Sequence, residues 1–386
     1  MSRFRRYNID LGLAFVVLVW GFSPTVFKIA FRELQPLTFI FFRFLILSLL
    51  SIVVLLVYRR RSGRTLTIRR QDIGLLILSG LCGYGLYQLL YMVGLAHTTV
   101  FASALLVATV PLWSVIIVAL LRMERVHPAQ WLGIVIGLLG VAWFLSSVHS
   151  QPEVGVGHTL TQGEILFGDL LTLVGVMLFT LYGIVNKRLA VRYSPPELMC
   201  YTLCIGTAVL IPFCLPSVLS QNWSTVTWRT WAIIPYTVLF PIYLTYSIWN
   251  WAIGKRGVGY VTLYNYAIPV IGGLVGFLVL REALTPVQMG AGAIVLCGML
   301  VARWAVARNI ASRKSRAVAA VAPADATVAL PVVAEIAEAI GTMAVSEETE
   351  ETQQFAVSQT FPGDSALPES IPAAMTGPDQ APSSSG

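Results

Sequence analysis

Long apolar runs, separated by short polar segments, make up most of the first 305 positions of the chain. Each run is long enough to cross the hydrocarbon core of a bilayer as an α-helix, which takes about 20 residues. The first run lacks the pattern of a cleaved signal peptide, so we expect it to remain as a transmembrane helix. The pattern predicts ten transmembrane helices, over residues 11–31, 37–58, 73–95, 100–121, 129–148, 166–186, 197–217, 231–253, 258–280 and 286–304.

A motif around the fourth and fifth helices occurs again 158 positions later, with seven residues kept in one register. This indicates a duplicated half-protein. Each half holds five helices, and an odd number means that the second half enters the membrane from the opposite face, as in many secondary transporters. The matching residues are Pro111, Glu124, Pro128, Gln130, Ile136, Leu138 and Gly140 in the first copy, and Pro269, Glu282, Pro286, Gln288, Ile294, Leu296 and Gly298 in the second.

The repeated motif is typical of a helix, a short turn and a second helix that begins at a proline. Thr285 followed by Pro286 is a favourable helix start, because Thr accepts from unpaired amides and Pro at the first position loses no hydrogen bond. Glu124 and Glu282 are expected to reach the positive end of the helix that follows each of them. We therefore interpret the motif residues Pro111, Glu124, Pro128, Pro269, Glu282 and Pro286 as structural.

Composition places the chain among integral membrane proteins. Hydrophobic residues make up 56% and charged residues only 12%, and the mean hydropathy is +0.75, whereas about a quarter of residues are charged in an ordinary soluble domain. Lys and Arg are unequally distributed: if the N-terminus is cytoplasmic, the cytoplasmic segments hold 21 of the 26 and the outer loops hold 3. Because short cytoplasmic loops collect positive charge, both termini are predicted to be cytoplasmic.

The C-terminal part differs from the rest, because residues 317–386 contain ten acidic residues and no Lys or Arg. Such a segment cannot bury enough apolar surface to fold alone and is predicted to be disordered. The basic charge of the remainder faces anionic lipid headgroups, so membrane lipids are expected partners and nucleic acid is not. The predicted division is a cytoplasmic N-terminus (1–10), a first repeat (11–148), an extracytoplasmic linker (149–165), a second repeat (166–304), and a basic segment with a disordered acidic tail (305–386).

Polar side chains inside the predicted spans form stripes at helical spacing. The third helix carries four of them at positions i, i+3, i+4 and i+7, and the eighth helix repeats part of that spacing. Lipid does not solvate such groups, so they should face inward and either line a cavity or bond neighbouring helices, unless they form an interfacial aromatic belt. We favour a cavity, with the candidate lining residues Trp20, Arg43, Tyr84, Tyr87, Gln88, Tyr91, Tyr243, Tyr246, Asn250, Tyr264 and Asn265.

Lys28 and Arg43 are the two basic residues inside predicted spans apart from Arg303, which is counted with the cytoplasmic segment at the end of the last span. With the N-terminus inside, Lys28 and Arg43 lie a few residues from the outer ends of their predicted helices, roughly 5 and 9 Å deep at 1.5 Å per residue. Each side chain either snorkels outward or gives positive charge to the cavity, which would favour a substrate with a carboxylate or phosphate. No Asp or Glu lies near the middle of a predicted span, so a deep proton-carrying carboxylate is not expected, and facilitated diffusion or exchange is as plausible as proton coupling.

The chain shows no catalytic cluster. Its five cysteines and four histidines lack metal-type spacing, so neither a metal nor a cofactor is expected. The ten spans, Trp20-Gly21 with Lys28, Arg43 and the doubled motif resemble the drug/metabolite transporter superfamily, specifically its two-repeat EamA branch. The second half departs from the first, because Tyr182-Gly183 stands where Trp20-Gly21 does, and Leu203 falls near the place of Arg43.

The resemblance implies a carrier in the bacterial inner membrane, with paired five-helix repeats around a central cavity. We therefore expect a non-ATP secondary transporter rather than an enzyme, acting as an exporter of small metabolites such as amino acids by alternating access. Three alternatives stay open: a membrane enzyme, a flippase for lipid or sugar carriers, and a transporter-like sensor without flux. The sequence leaves the substrate, the coupling ion and the oligomeric state open.

Overall fold

The computed structural model describes residues 3–63, 68–123, 126–147, 151–152, 159–256 and 258–321. Within these residues, ten helices are long and apolar enough to cross a membrane, which confirms the predicted all-α, ten-helix fold. They are α1 (Arg3–Ala30), α2 (Pro36–Ser62), α3 (Arg70–Ala96), α4 (Val100–Leu120), α5 (Pro128–Ser146), α6 (Gln162–Ala190), α7 (Pro195–Ser220), α8 (Trp228–Ile253), α9 (Thr262–Leu280) and α10 (Pro286–Val321).

Short elements join or interrupt these helices. Between α5 and α6, strands β1 (Gln151–Pro152) and β2 (Thr159–Leu160) form a small antiparallel ladder. A 3-10 turn over Trp223–Thr225 precedes α8, and a short helix over Val258–Val261 precedes α9. Helix α4 breaks at Thr109, between Val100–Ala108 and Val110–Leu120.

Helix α10 is longer than the sequence predicts. It runs to Val321, so residues 317–321 are helical and do not belong to a disordered tail. Their sequence, AVAAV, is rich in alanine, which has the highest helix propensity of all residues. The rest of the predicted tail, residues 322–386, lies outside the described residues.

Helices α5 and α10 occupy equivalent places in the two halves and pack directly against each other. A Cβ built on Gly298 would lie 2.6 Å from the Cα of Gly137, and one built on Gly140 would lie 2.8 Å from the amide nitrogen of Val295. Moving along one helix therefore means moving backwards along the other, so the two are antiparallel. Because these helices are equivalent in the duplication, their antiparallel packing means that the two halves have inverted topology.

The repeated Pro and Gln residues build the same helix start in both halves. Gln130 accepts a hydrogen bond from the His127 amide at 2.6 Å, and Gln288 accepts one from the Thr285 amide at 3.2 Å. The residue before each proline in turn accepts from the first turn: the His127 ring from Ala129, and Thr285 from Gln288. Each pair satisfies amides that a helix N-terminus leaves unpaired.

Two equivalent helices also share a local irregularity. Helix α3 contains a π-helical segment over Leu81–Gly85 and α8 contains one over Leu239–Leu244, so that the segments begin 158 positions apart. Such segments loosen the regular ladder of backbone hydrogen bonds and are common at functional sites. The duplication therefore preserves a backbone distortion as well as a sequence motif.

The outside of the bundle is apolar. Large hydrophobic side chains such as Leu120, Leu219 and Trp228 are about three-quarters exposed in the isolated chain. A soluble monomer rarely exposes contiguous apolar surface on this scale, whereas a bilayer solvates it. The fold is thus that of a multi-pass membrane protein.

Candidate functional site

Aromatic side chains from both halves meet inside the bundle. We call this group the aromatic cluster. The ring of Tyr246 lies 5.3 Å from that of Trp20, and Tyr246 also lies near Tyr84, Tyr87 and Tyr182. Trp20, Tyr84 and Tyr246 lie well inside α1, α3 and α8, away from the helix ends. The members of the aromatic cluster are Trp20, Tyr84, Tyr87, Tyr91, Tyr182 and Tyr246.

The cluster has a two-fold arrangement that follows the duplication. Trp20 of α1 donates from Nε1 to the carbonyl of Pro241 at 3.0 Å and to Oγ1 of Thr245 at 2.9 Å. Tyr182, its counterpart on α6, lies against Gly83, where a Cβ would come within 2.6 Å of the ring. Gly83 lies in the π-helical segment of α3, and Pro241 lies in that of α8. Each half therefore sends one large aromatic side chain onto the distorted helix of the other half.

Tyrosines of α3 complete the cluster. The hydroxyls of Tyr84 and Tyr182 are 3.0 Å apart, and their rings are 5.4 Å apart. The ring of Tyr87 lies 5.7 Å from Tyr91 and 4.7 Å from Phe179 of α6. Aromatic faces next to phenol oxygens can hold a ligand that has both an apolar body and a polar group.

Arg43 reaches this group from α2. Its guanidinium carbon lies 4.9 Å from the ring centre of Phe27 and 5.8 Å from that of Phe44. It also lies near Tyr91, Tyr87 and Tyr246. The side chain is buried inside the protein and does not snorkel towards the end of its helix.

Lys28 has a different environment. Its Nζ forms an ion pair with Oε1 of Glu282 at 2.9 Å, and both residues are about 95% buried. The other carboxylate oxygen accepts a hydrogen bond from the amide of Val100 at 2.7 Å. Glu282 therefore lies at the N-terminus of α4, and the expectation that it serves the helix after it, α10, is wrong. Both expectations for Lys28, snorkelling or charging the cavity, are replaced by this ion pair.

We call the end of the bundle where α1 finishes the distal end. Polar groups tie the two halves together here. Glu33 accepts from the Thr227 amide at 2.8 Å and from the Thr230 hydroxyl at 2.7 Å. Hydrogen bonds from Thr230 and from the Thr227 amide lower the pKa of Glu33 below its usual range. Gln221 accepts from the Gln35 amide at 2.9 Å, which adds a second link between the halves.

The opposite end, where α1 begins, has its own links. The carboxylate of Asp72 forms an ion pair with Arg192 and accepts a hydrogen bond from Tyr193 at 3.1 Å. Burial raises the pKa of the Tyr193 phenol. Tyr260 and Tyr264 donate to Asp10 at 2.7 and 3.3 Å. Both ends of the described bundle thus carry polar contacts between the first and second halves.

Acidic residues near the helix starts are more deeply buried than their sequence positions suggest. Asp72 and Asp169 are fully buried, and Thr98 donates a hydrogen bond to Asp169. A helix start is peripheral in sequence, but neighbouring helices and loops cover it in the bundle. The prediction concerned only the middle of the spans, so it did not anticipate these buried carboxylates near helix starts.

The other candidate lining residues are dispersed. Tyr264 bonds Asp10 near the start of α1, and Tyr243 lies towards Cys200 of α7. The side-chain oxygens of Gln88 and Asn265 are buried and have no hydrogen-bond partner among the described residues. The side chain of Asn250 and the whole of Glu124 lie outside the described residues.

Some members of the site escape the stripe analysis. Tyr182 is recognised in the sequence as the counterpart of Trp20 but is not included among the candidate lining residues. Phe27 and Phe179 carry no polar group, so nothing in the sequence distinguishes them from lipid-facing side chains. Among the proline motif residues, Pro111, Pro128 and Pro286 lie at the surface, whereas Pro269 is buried in α9.

The family model of the EamA-like transporter family matches residues 8–146 and again residues 166–304. An uncharacterized transporter of Archaeoglobus fulgidus is 24% identical over 75% of this chain and 96% of its own length. A probable terminal-alkyne amino-acid exporter of Streptantibioticus cattleyicolor is 27% identical over 62% of this chain and 77% of its own length. A probable amino-acid metabolite efflux pump of Salmonella typhimurium is 22% identical over 74% and 91%.

Proposed function

Because this chain belongs to the EamA-like transporter family, we propose that it exports small metabolites such as amino acids, without ATP, by alternating access around the aromatic cluster. Its membership makes it a membrane transporter. The substrate class and the direction are our proposal, supported by two relatives that are named for the export of amino acids or their metabolites.

The observation that carries the mechanism is the position of the aromatic cluster between two inverted halves. Trp20 and Tyr182, from equivalent helices, each contact the partner half at a π-helical segment. Inverted repeats let two conformations exchange by rocking one half against the other around a fixed central site. A π-helical segment is a suitable hinge, because its backbone bonds are already irregular.

The polar contacts between the halves at the two ends of the bundle explain how access to the cluster could alternate between the two sides of the membrane. Opening the distal end must separate Lys28 from Glu282 and Glu33 from α8, whereas opening the other end must separate Asp72 from Arg192. Each set joins residues of different halves, so each can act as a closure on its own side of the cluster. The substrate would occupy the cluster while one closure is broken and the other is intact.

We propose that the protein lies in the bacterial cytoplasmic membrane, and the distribution of Lys and Arg supports an orientation with both termini inside. Ser62, the exposed last residue of α2, and Asn222, in the loop before α8, lie at opposite ends of the bundle. In intact cells, an impermeant maleimide should label Asn222→Cys, and it should label Ser62→Cys only after the membrane is permeabilised. The reverse labelling pattern would invert the orientation.

Transport itself is tested in proteoliposomes with radiolabelled threonine, leucine and phenylalanine, with and without a pH gradient. We expect flux of at least one amino acid, and Tyr246→Ala should slow it by about tenfold, the effect of losing roughly 1.4 kcal/mol of binding. Tyr236→Ala is the matched control: it is the same substitution on α8, where Tyr236 stacks on Phe240 instead of joining the cluster.

The outcomes separate the alternatives. If Tyr236→Ala slows flux as much as Tyr246→Ala does, the aromatic cluster is not the substrate site. If no amino acid moves in the wild type, the exporter proposal fails. Binding without flux would then favour a sensor, and movement of lipid-linked substrates would favour a flippase.

A further inference from the structure

We propose that Arg43 is the group that recognises the substrate, by binding its carboxylate, so that the transported compounds are small organic monocarboxylates. This inference rests on the proposed transport function and narrows its substrate class. It adds that the aromatic cluster holds the apolar part of the substrate next to that carboxylate.

The observation is a buried cation without an anionic partner. Arg43 is 7% exposed, and the structure gives it no ion pair and no hydrogen bond to any described residue. Its Nε atom is completely buried and unpaired within the same residues. The contacts that it does make are with ring faces, Phe27 at 4.9 Å and Phe44 at 5.8 Å.

Such an arrangement is unfavourable for stability alone. A buried charge is normally paired, because leaving it unpaired costs several kcal/mol, whereas a contact with an aromatic face returns only about 0.5–2 kcal/mol. Lys28 of the same protein is paired in the usual way, because its Nζ atom forms an ion pair with Glu282 at 2.9 Å. Charged residues that stay unpaired inside a membrane protein generally mark a substrate or ion path.

The charge balance selects the class of anion. One guanidinium neutralises one carboxylate and can bind it through two parallel hydrogen bonds. Lys28 is already neutralised by Glu282, so a doubly charged phosphate bound at Arg43 would leave a net buried charge. Leu203, which falls near the place of Arg43 in the second half, is fully buried and apolar, so the duplication does not supply a second cation at that place.

The surroundings define the rest of the substrate. Arg43 lies near Tyr91, Tyr87 and Tyr246, so a carboxylate bound to it lies beside phenol groups and ring faces. An apolar or aromatic body packs on those rings. An α-amino group, where the substrate has one, can lie on a ring face as a cation–π contact. The site therefore requires the carboxylate and tolerates the amine.

The first test compares phenylalanine with two analogues that lack the carboxylate, phenethylamine and phenylalaninamide, in proteoliposomes. We expect the wild type to prefer phenylalanine, and Arg43→Gln to reduce its flux about 10- to 100-fold, the range for losing a hydrogen-bonded charge of roughly 1.5–3 kcal/mol. Arg43→Lys should restore part of the flux. Arg32→Gln, which changes an exposed arginine beyond α1, should behave as the wild type.

The transport outcomes keep the two proposals apart. If phenylalanine and its two analogues move equally well, and Arg43→Gln slows none of them, transport stands and the inference about Arg43 is wrong. If no compound moves in the wild type, the proposed function fails, and the second test decides about Arg43 independently.

The second test needs no flux. Arg43→Met removes the unpaired charge and keeps an unbranched apolar side chain, so we expect the thermal unfolding temperature in detergent to rise. Phenylacetate should raise that temperature in the wild type, relative to chloride at equal ionic strength, because a ligand stabilises the state that binds it. It should have no effect on Arg43→Met. A lower unfolding temperature for Arg43→Met, or equal effects of phenylacetate on both proteins, would overturn the inference.

Discussion

Replacing Lys28 by Met is expected to lower the free energy of unfolding by about 3–5 kcal/mol, the usual effect of removing one partner of a buried ion pair. The carboxylate of Glu282 would remain 5% exposed, with the Val100 amide as its remaining hydrogen-bond donor. The loss should be visible as a lower SDS concentration at the midpoint of unfolding in mixed micelles.

A double-mutant cycle identifies the cause. Glu282→Gln keeps an acceptor for the Val100 amide and removes the charge, so Lys28→Met with Glu282→Gln should be more stable than Lys28→Met alone. We expect a coupling energy of about 1–3 kcal/mol between the two positions. Arg32→Met is the control, because this exposed residue just beyond α1 should change stability by less than about 0.5 kcal/mol. Strict additivity of the two single effects would contradict the ion pair.

The same pair shows where sequence analysis succeeds and where it stops. The repeat identified Glu282 as a structural residue near the end of a helix, and the dipole argument correctly led to the N-terminus of a helix. It could not show that this helix is α4, because the contact joins positions 182 residues apart. Sequence analysis also could not pair Lys28 with Glu282. Which helices are neighbours in the bundle depends on their packing, and a local sequence pattern contains no information about that packing.

The helices themselves were predictable because the bilayer imposes their length and polarity. The candidate site was only partly predictable from the sequence. Spacing predicted that Tyr84, Tyr87 and Tyr91 share one face of α3, and in the structure Tyr87 lies near both Tyr91 and Tyr246 of the other half. Spacing could not separate Tyr246, in the cluster, from Tyr264, which reaches Asp10 near the start of α1. A stripe defines a face of one helix, whereas a site depends on which faces meet.

Gly298→Ala is expected to disturb the contact between α5 and α10. The added Cβ would lie 2.6 Å from the Cα of Gly137 and 2.7 Å from the carbonyl oxygen of Gly133, both backbone atoms that cannot turn aside. The helices must therefore move apart, with a loss of about 1–3 kcal/mol, the usual effect of overpacking. The measurement is again the midpoint of SDS unfolding.

The duplication predicts an order within a series of alanine substitutions. Gly133→Ala should match Gly298→Ala, because its Cβ also meets backbone, 2.7 Å from the Cα of Ala302. Gly137→Ala should be milder, since the atom it meets first is Cδ1 of Leu112, which can rotate away. Gly74→Ala meets nothing within 4 Å and should stabilise α3 by about 0.5–1 kcal/mol, because alanine favours a helix more than glycine does. If Gly298→Ala were as stable as Gly74→Ala, α5 and α10 would not approach this closely, and the packing argument for inverted halves would fail at its central contact.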